Sequence, residues 1–292
     1  MAGSLTDPIA RVNRAVHHYH ALKDSFYGVD HKLWPVVGVR SNDGLQYKFH
    51  IGEIEPLDPN WSLVLGEAYH NLRAALDHLV FQLHMRRYRG KVPTSVTKAS
   101  AFPIRTCRPT IRKTGRPLPP DKWDTIGTLG KAERAAIERL QPYRGWGSEY
   151  PPRTVVGQMR RGIFDINKLD NIDKHRNLHL ATIAMRSIAT PTFPVRYGFE
   201  SKPAFGVPLE SGAQVDLWTF REAPPVDDVN AQIYIEVCVS IAPGIDPNGV
   251  GIDVLPHLGG SIHVVSMVLD RFRDRFPPAD GPDLSMVQGT SG

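Results

Sequence analysis

Hydrophobic residues recur at three- and four-residue spacing along much of the chain, and this periodicity predicts amphipathic helices. The first predicted helix begins at Asp7, where a following proline favours a helix start, and it continues to about Phe26. In the longest helix the leucines lie on one side and most polar residues lie on the other, so one face is expected to pack on a core. The predicted helices span about residues 7–26, 61–87, 131–140, 154–185 and 254–276.

Runs of β-branched and aromatic residues predict strands in two parts of the chain. A hairpin is expected at about 33–55, because the sequence SNDG between its two runs is typical of a turn. After Pro191, three further runs are typical of strands: FPVRYGF, AQVDLWTF and AQIYIEVCVSI. The order of elements predicts an α+β fold, with a helical core of four to five helices and an antiparallel β-sheet assembled from the N-terminal hairpin and the C-terminal strands. Because early and late strands have to meet in that sheet, we expect one domain over residues 1–278.

Two segments lack this periodicity. Residues 88–130 are rich in proline, glycine and basic residues, and we predict a long basic loop inserted into the domain. Residues 279–292 have the composition of a disordered tail.

Composition and charge favour an ordinary globular protein. The chain of 292 residues has a formal net charge of +5, which favours anionic partners. Its two cysteines, Cys107 and Cys238, lie far apart, so neither a disulfide framework nor a cysteine-based zinc site is supported. The first 20 residues lack the apolar region of a signal peptide, and no run of 18 apolar residues follows. We therefore expect a cytoplasmic protein that does not enter membranes, and the absence of glycine-rich nucleotide motifs leaves no cofactor to predict.

Two dense polar segments are the candidate sites of chemistry. YHNLRAALDHL, at 69–79, interleaves leucines with groups that can transfer protons or bind phosphate. DINKLDNIDKHRNLH, at 165–179, is equally polar although it lies in a predicted helix that has to pack on several sides. Such a helix has few places for so many charges, so the two segments are expected to meet in a shared buried site.

Arg73 and His78 in the first segment have four residues between them on a helix, and this pair resembles the active-site motif of the HEPN superfamily of helical ribonucleases and toxin-like proteins. The resemblance implies metal-independent RNA cleavage. In that reaction histidine is the general acid or base, arginine holds the charge on the scissile phosphate, and the 2′-hydroxyl of the RNA attacks. Because the two side chains lie on different sides of the polar face, the site would need a homodimer or a second helix. The supporting residues are expected to be Asn71, Asp77, His175 and Arg176.

RNA is the expected partner under this hypothesis, and basic side chains flanking the site would neutralise its phosphates. These candidate nucleic-acid-binding residues are Arg105, Arg108, Arg112, Lys113, Arg116 and Lys174. The same arginine-to-histidine pattern, at looser spacing, occurs from Arg11 to His17 and from Arg14 to His20. We predict that the HHYH sequence at 17–20 forms a surface or interface patch.

Two alternatives remain open at this stage. In a non-catalytic binding or assembly protein, the polar segments would only hold helices together, for example through pairs between Asp77 and Arg176. In a metal-dependent hydrolase, His175 and His179 would share a helix face as ligands, with His70 opposite them.

Over most of its length the chain also resembles a group of uncharacterised actinobacterial and actinophage proteins. These proteins pair a motif like HNLRAALDH with a later one like NIDKHR. The resemblance supports the two-helix architecture and leaves the reaction open. The HEPN-like pair therefore supplies the leading hypothesis, a metal-independent ribonuclease of toxin or phage-defence type.

Overall fold

The computed structural model describes nine stretches of the chain, and every structural statement below concerns them. They are residues 3–30, 36–52, 57–145, 154–175, 180–188, 197–202, 212–224, 235–241 and 252–276. The chain divides into two compact units. The first contains residues 1–20, 63–177 and 256–292, and the second contains residues 21–62 and 178–255. The single domain over 1–278 stays a prediction, and the predicted tail at 279–292 lies outside the described residues.

Helices and antiparallel sheets confirm the α+β fold class. The helices are α1 (Thr6–Asp30), α2 (Pro59–Arg87), α3 (Thr94–Ala99), α4 (Lys131–Arg139), α5 (Val155–His175) and α6 (Val254–Asp270). The predicted helix over 154–185 was wrong in its second half, because α5 ends at His175 and a strand occupies Leu180–Ile188. That strand pairs with a distant one, and such long-range pairing overrides local helix preference. No helix in the described ranges is long and apolar enough to cross a membrane.

The core of the first unit is built from the apolar faces that the periodicity predicts. Leu65, Leu72, Leu76 and Leu79 of α2 are each fully buried. The start of α1 is fixed against α2 by the buried side chain of Gln82, whose Oε1 accepts a hydrogen bond from the Ser4 backbone at 3.0 Å. Its Nε2 donates to Asp7 Oδ2 at 3.1 Å. This pairing sets the relative position of the two helices that form most of the candidate site.

The segment at 88–130 is more ordered than the predicted loop. It contains α3 and a short 3-10 helix at Pro120–Lys122, neither of which has a clear periodic signal in the sequence. Phe102, Trp123, Ile126 and Leu129 are buried, and the Trp123 indole donates to the Leu118 carbonyl at 3.2 Å. These apolar contacts hold the segment on the first unit although its surface is basic.

The second unit contains two antiparallel sheets. The first has the strand order β1-β2-β5-β4, with β1 (Val36–Arg40), β2 (Gln46–Ile51), β4 (Glu200–Ser201) and β5 (Gln214–Thr219). It confirms the predicted sheet of an N-terminal hairpin and C-terminal strands. The second has the order β3-β6-β7, with β3 (Leu180–Ile188), β6 (Ile235–Ile241) and β7 (Ile252–Asp253). The predicted strand at 193–199 lies largely outside the described residues.

The buried face of the first sheet combines aromatic rings with one buried carboxylate. Phe49 and Trp218 lie on adjacent strands with their ring centroids 4.4 Å apart. Asp216, only 1% exposed, accepts hydrogen bonds from the Trp218 indole at 2.6 Å, the Ser201 hydroxyl at 2.9 Å and the Leu217 backbone at 2.7 Å. A buried carboxylate needs such donors because water cannot solvate it. Asp216 therefore joins β5 to the edge strand β4.

Replacing Asp216 with alanine leaves these donors without their acceptor. We expect the free energy of unfolding to fall by roughly 2–4 kcal/mol, because each buried polar group left unsatisfied costs about 1–3 kcal/mol. Ser201→Ala removes one donor and keeps the acceptor, so its cost should be about 1 kcal/mol. Urea denaturation followed by tryptophan fluorescence measures both variants. Equal stability of Asp216→Ala and the wild type would contradict this role for Asp216.

Candidate functional site

A polar cleft of about 690 Å³ lies in the first unit, where α1, α2 and α5 meet. The residues that line it carry both acidic and basic side chains, and two of them, His18 and Asn71, are buried. They are Ala10, Arg11, Arg14, His18, Glu67, His70, Asn71 and Asp173. Helix periodicity explains the contribution of α1, because positions 11, 14 and 18 lie on one face. Arg11 and Arg14 are exposed on this face, so the cleft offers two guanidinium groups to an anion.

His18 is the most unusual residue of the cleft. It is 6% exposed, and its Nε2 atom is buried without a hydrogen-bond partner among the described residues. The nearest anionic oxygen is Glu67 Oε2 at 3.4 Å, which is close enough for an ion pair but is not aligned for a hydrogen bond. A buried imidazole nitrogen of this kind needs a water molecule, an ion or a ligand to complete its hydrogen bonding.

The surroundings of His18 favour its neutral form. Burial lowers the pKa of His18, and the positive charge of Arg14 lowers it further, while the Glu67 carboxylate opposes both effects. His18 is thus uncharged near neutral pH and able to take up a proton.

Asn71, one of the predicted supporting residues, connects α1 and α2 at the cleft. Its side-chain Nδ2 donates to the Glu67 carbonyl at 2.8 Å, and its Oδ1 accepts from Arg11 Nη1 at 3.4 Å. Asn71 is therefore a positioning residue, which holds the Arg11 guanidinium at the cleft.

The two polar segments of the sequence meet on the other wall. His70 Nδ1 of α2 lies 3.1 Å from Oδ1 of Asp170 on α5, and Asp170 is 1% exposed. Lys174, a predicted nucleic-acid-binding residue, donates to the second Asp170 oxygen at 2.6 Å. Asp173, one turn along α5, lines the cleft itself. Burial raises the pKa of Asp173, and the neighbouring negative charge of Asp170 adds to this shift.

Arg73 and Asp77, two predicted site residues, hold the backbone of Phe102. Arg73 Nη2 donates to the Phe102 carbonyl at 2.9 Å, and Asp77 Oδ1 accepts from the Phe102 amide at 2.8 Å. The two side chains also pair with each other at 3.0 Å. Burial raises the pKa of Asp77, although the charge of Arg73 opposes the shift. These contacts fix the segment at 88–130 on α2.

His78, the predicted proton-transfer residue, is half-buried, and no hydrogen bond to its Nδ1 is made within the described part of the chain. Neither Arg73, Asp77 nor His78 lines the cleft. The structure therefore separates the HEPN-like pair from the acid–base groups that gather around His18. The side chain of His175 and all of Arg176 lie outside the described residues.

The basic residues predicted to bind RNA divide into two kinds. Arg105 lies over the Trp123 ring, with its Cζ 5.2 Å from the ring centroid, and so supports the buried part of the segment. The others in the segment are exposed and remain accessible to a polyanion. They are Arg108, Arg112, Lys113 and Arg116.

A metal site has no support from the described side chains. No group of three or more His, Cys, Asp or Glu side chains that could hold an ion occurs there. His70 faces Asp170, whereas the other two candidate ligands, His175 and His179, are outside the described side chains. The metal-dependent alternative is therefore not tested by the structure.

A second buried polar cluster was not predicted from the sequence. The Tyr69 hydroxyl lies 2.6 Å from His257 Nδ1, and His257 Nε2 lies 3.6 Å from Asp165, which also accepts from Arg161 at 2.8 Å. Burial raises the pKa of Tyr69 well above its usual value. Because the phenol stays protonated, it can donate to His257 Nδ1, whereas Asp165 Oδ1 is buried without a hydrogen-bond partner among the described residues.

The cleft residues on α1 were also missed, although a signal for them was present. The arginine-to-histidine spacing recurs there, yet the predicted surface patch at 17–20 was wrong in part. His17 is exposed, whereas His18 and Tyr19 are buried. Helical periodicity could have separated these positions, because His18 follows Arg11 and Arg14 on one face.

Comparisons with known proteins give no assignment for this arrangement. No protein-family model, no curated protein and no solved structure matches the chain. The geometry and chemistry of the cleft are therefore the basis for assigning a function.

Arg73→Ala should destabilise the protein through loss of the Phe102 contact. We expect the free energy of unfolding to fall by about 1.5–3 kcal/mol, the typical worth of partly buried hydrogen bonds to a charged group. Arg273 pairs with Asp270 on the surface at 2.6 Å, so Arg273→Ala is a matched control. That variant should lie within about 0.5 kcal/mol of the wild type, since exposed pairs contribute little. Chemical denaturation measures both, and an equal effect would contradict the structural role of Arg73.

The buried environment of His18 predicts a lowered pKa for its imidazole ring. NMR titration of the imidazole protons should show the pKa of His18 below the usual histidine range. Glu67→Gln should lower this pKa further, because the Glu67 carboxylate favours the protonated ring. An ordinary pKa for His18, or a rise in the Glu67→Gln variant, would contradict the described burial of the ring.

Proposed function

We propose that the protein is a metal-independent ribonuclease of toxin or phage-defence type and that the cleft around His18 is its active site. The observation that carries the proposal is the buried His18 ring, whose Nε2 has no hydrogen-bond partner among the described residues. It lies in one cleft with two exposed arginines. A neutral imidazole beside two guanidinium groups suits proton transfer next to a phosphate.

The two arginines support an anionic substrate. Arg11 and Arg14 are separated by one helical turn and line the same cleft, so both can contact the oxygens of one phosphate group. The formal net charge of +5 and the exposed basic residues of the 88–130 segment favour a polyanion over a small neutral ligand. Glu67 and Asp173 add negative charge to the same cleft, which restricts a phosphate to its α1 side.

The proposed reaction uses the 2′-hydroxyl of the RNA as the nucleophile. His18 takes the proton of that hydroxyl, and the 2′-oxygen attacks the adjacent phosphorus. Arg11 and Arg14 stabilise the negative charge that develops on the phosphate oxygens. The bond from phosphorus to the 5′-oxygen then breaks, and the leaving oxygen takes a proton. The products are a 2′,3′-cyclic phosphate and a free 5′-hydroxyl.

His70 is the best-placed donor for the leaving oxygen. Its side chain is 54% exposed and lines the cleft, and its Nδ1 is oriented by the buried Asp170 carboxylate. A carboxylate at Nδ1 fixes the orientation of the ring, so that Nε2 is the atom that donates a proton to the leaving oxygen. The cleft thus contains two histidines with different environments.

A non-catalytic assembly protein is the second candidate, and specific contacts favour it. Arg73 and Asp77 act on the Phe102 backbone, and Asp170 is fully used in pairing with His70 and Lys174. These contacts need no substrate. The feature that favours catalysis instead is the position of His18, whose Nε2 makes no hydrogen bond within the described residues, in one cleft with two exposed arginines.

Cleavage of single-stranded RNA by the purified full-length chain in the presence of EDTA tests the proposal. We expect His18→Ala to lose about 10²–10⁴-fold in kcat/KM, the usual contribution of a positioned general base. Arg14→Ala should lose about 10²–10³-fold. Because His18 titrates at low pH, activity should persist further into the acid range than for an ordinary histidine base.

His17→Ala is the matched control, because His17 is exposed beside His18 and does not line the cleft. This variant should retain activity close to the wild type. Loss of cleavage in Arg73→Ala and His78→Ala, with full activity in His18→Ala, would place the site at the HEPN-like pair instead. A folded protein that cleaves no RNA would favour the assembly role.

A further inference from the structure

Asp173 has an unused carboxylate in the cleft. No hydrogen bond or ion pair connects it to another side chain or backbone group in the described stretches, although it lines the cleft directly. Asp170, one turn earlier on α5, has both oxygens occupied by His70 and Lys174. This difference in hydrogen bonding between Asp170 and Asp173 matters because partial burial removes water from a carboxylate. The loss of hydration is unfavourable unless hydrogen-bond donors replace the water.

Gly66 makes room for this carboxylate. It lies buried within α2, and a Cβ at this position would overlap Asp173 Oδ1 and Oδ2. Glycine is a poor helix former, so its presence in the middle of a long helix needs a local reason. Here the missing side chain allows the Asp173 carboxylate to lie against the α2 backbone at the cleft.

Two other polar groups of the α2 wall already have partners, since Asn71 contacts the Glu67 carbonyl and Arg11, and His70 faces Asp170. Glu67 and Asp173 are the carboxylates that line the cleft, and of the two only Asp173 is half-buried, whereas Glu67 is exposed beside His18. Asp173 is therefore the acceptor that is enclosed enough to select a ligand, while Arg14 is available for an anion across the cleft. A nucleotide has a group for each of these side chains. Its phosphate can bind Arg14, and the N–H groups on the edge of its base can donate to Asp173.

We propose that Asp173 recognises the base of the substrate and that the cleft selects guanosine. This inference rests on the proposed ribonuclease function. A carboxylate accepts two parallel hydrogen bonds, and guanine is the base with two adjacent donors on its Watson–Crick edge, at N1 and N2. Uracil presents one N–H between two carbonyl oxygens, which a carboxylate repels. Adenine and cytosine each present an amino group beside a ring-nitrogen acceptor. They can donate one hydrogen bond to the carboxylate, so their cleavage rates should lie between those of guanosine and uridine.

The test uses DNA oligonucleotides that each contain a single ribonucleotide, so that cleavage is confined to G, A, C or U. The wild type should cleave at guanosine about 10- to 100-fold faster in kcat/KM than at uridine, the discrimination typical of a bidentate contact to a base. Asp173→Asn, which replaces one acceptor oxygen with a donor group, should make the two rates nearly equal. Asp24→Asn is the matched control, because Asp24 is exposed on α1 and does not line the cleft. It removes the same charge and should keep the preference.

Gly66→Ala provides a second variant that leaves the carboxylate in the chain. The added methyl group displaces Asp173, so the guanosine preference should fall while the melting temperature stays near that of the wild type. Equal cleavage of all four substrates by the wild type, or an unchanged preference in Asp173→Asn, would overturn the inference and leave the ribonuclease proposal intact.

If no substrate is cleaved, the ribonuclease proposal fails and binding decides the role of Asp173. Guanosine and uridine monophosphates are then titrated into the full chain and into Asp173→Asn by calorimetry. Tighter binding of the guanosine compound that disappears in Asp173→Asn would support base recognition by Asp173. Equal binding of the two nucleotides, or no binding, would overturn it.

Discussion

The buried carboxylate of Asp170 is the constraint on which the site depends. A charge that is 1% exposed is tolerated only with close partners, and Asp170 has them in His70 and Lys174. Because His70 belongs to α2, this contact fixes the register of α2 against α5. One turn along, the same register brings Asp173 against Gly66 and into the cleft. An apolar pair at this position would also hold α2 and α5 together, but it would not favour one register of the two helices over the next.

Helix α5 uses carboxylates in two different ways along its length. Asp165 lies near His257 of α6 in a cluster closed by the buried Tyr69, whereas Asp170 holds His70, whose ring is open to solvent. The two histidines therefore have similar partners and different access to water. The His257 ring contacts protein groups at both nitrogens, whereas the exposed His70 ring can exchange protons with solvent directly. Exposure therefore separates two histidines that share the same kind of carboxylate partner on α5.

Local patterns were sufficient to predict most elements of the fold but not the composition of the site. Helical periodicity placed α1, α2, α4 and α6, and turn chemistry placed the hairpin. The strand β3 was missed because its pairing with β6 depends on residues about fifty positions away. Arg73 was recognised as a candidate phosphate ligand, yet its actual partner is the backbone of Phe102. No local signal marks that contact, and none distinguishes the buried His18 from the exposed His17 except their helical phase.

Two residues of α2 contact the 88–130 segment through its main-chain atoms, and a third, His84, also lies 3.4 Å from the Thr128 hydroxyl. Arg73 and Asp77 bind the carbonyl and the amide of Phe102, groups that every residue except proline possesses. The polar part of this attachment is consequently independent of the side chain at position 102, and only the burial of an apolar group there depends on it. A substitution at position 102 therefore keeps both hydrogen bonds unless the new residue is proline, which lacks the amide. The exposed basic residues of the segment make neither bond, so their charge can change while Arg73 and Asp77 still hold the segment on α2.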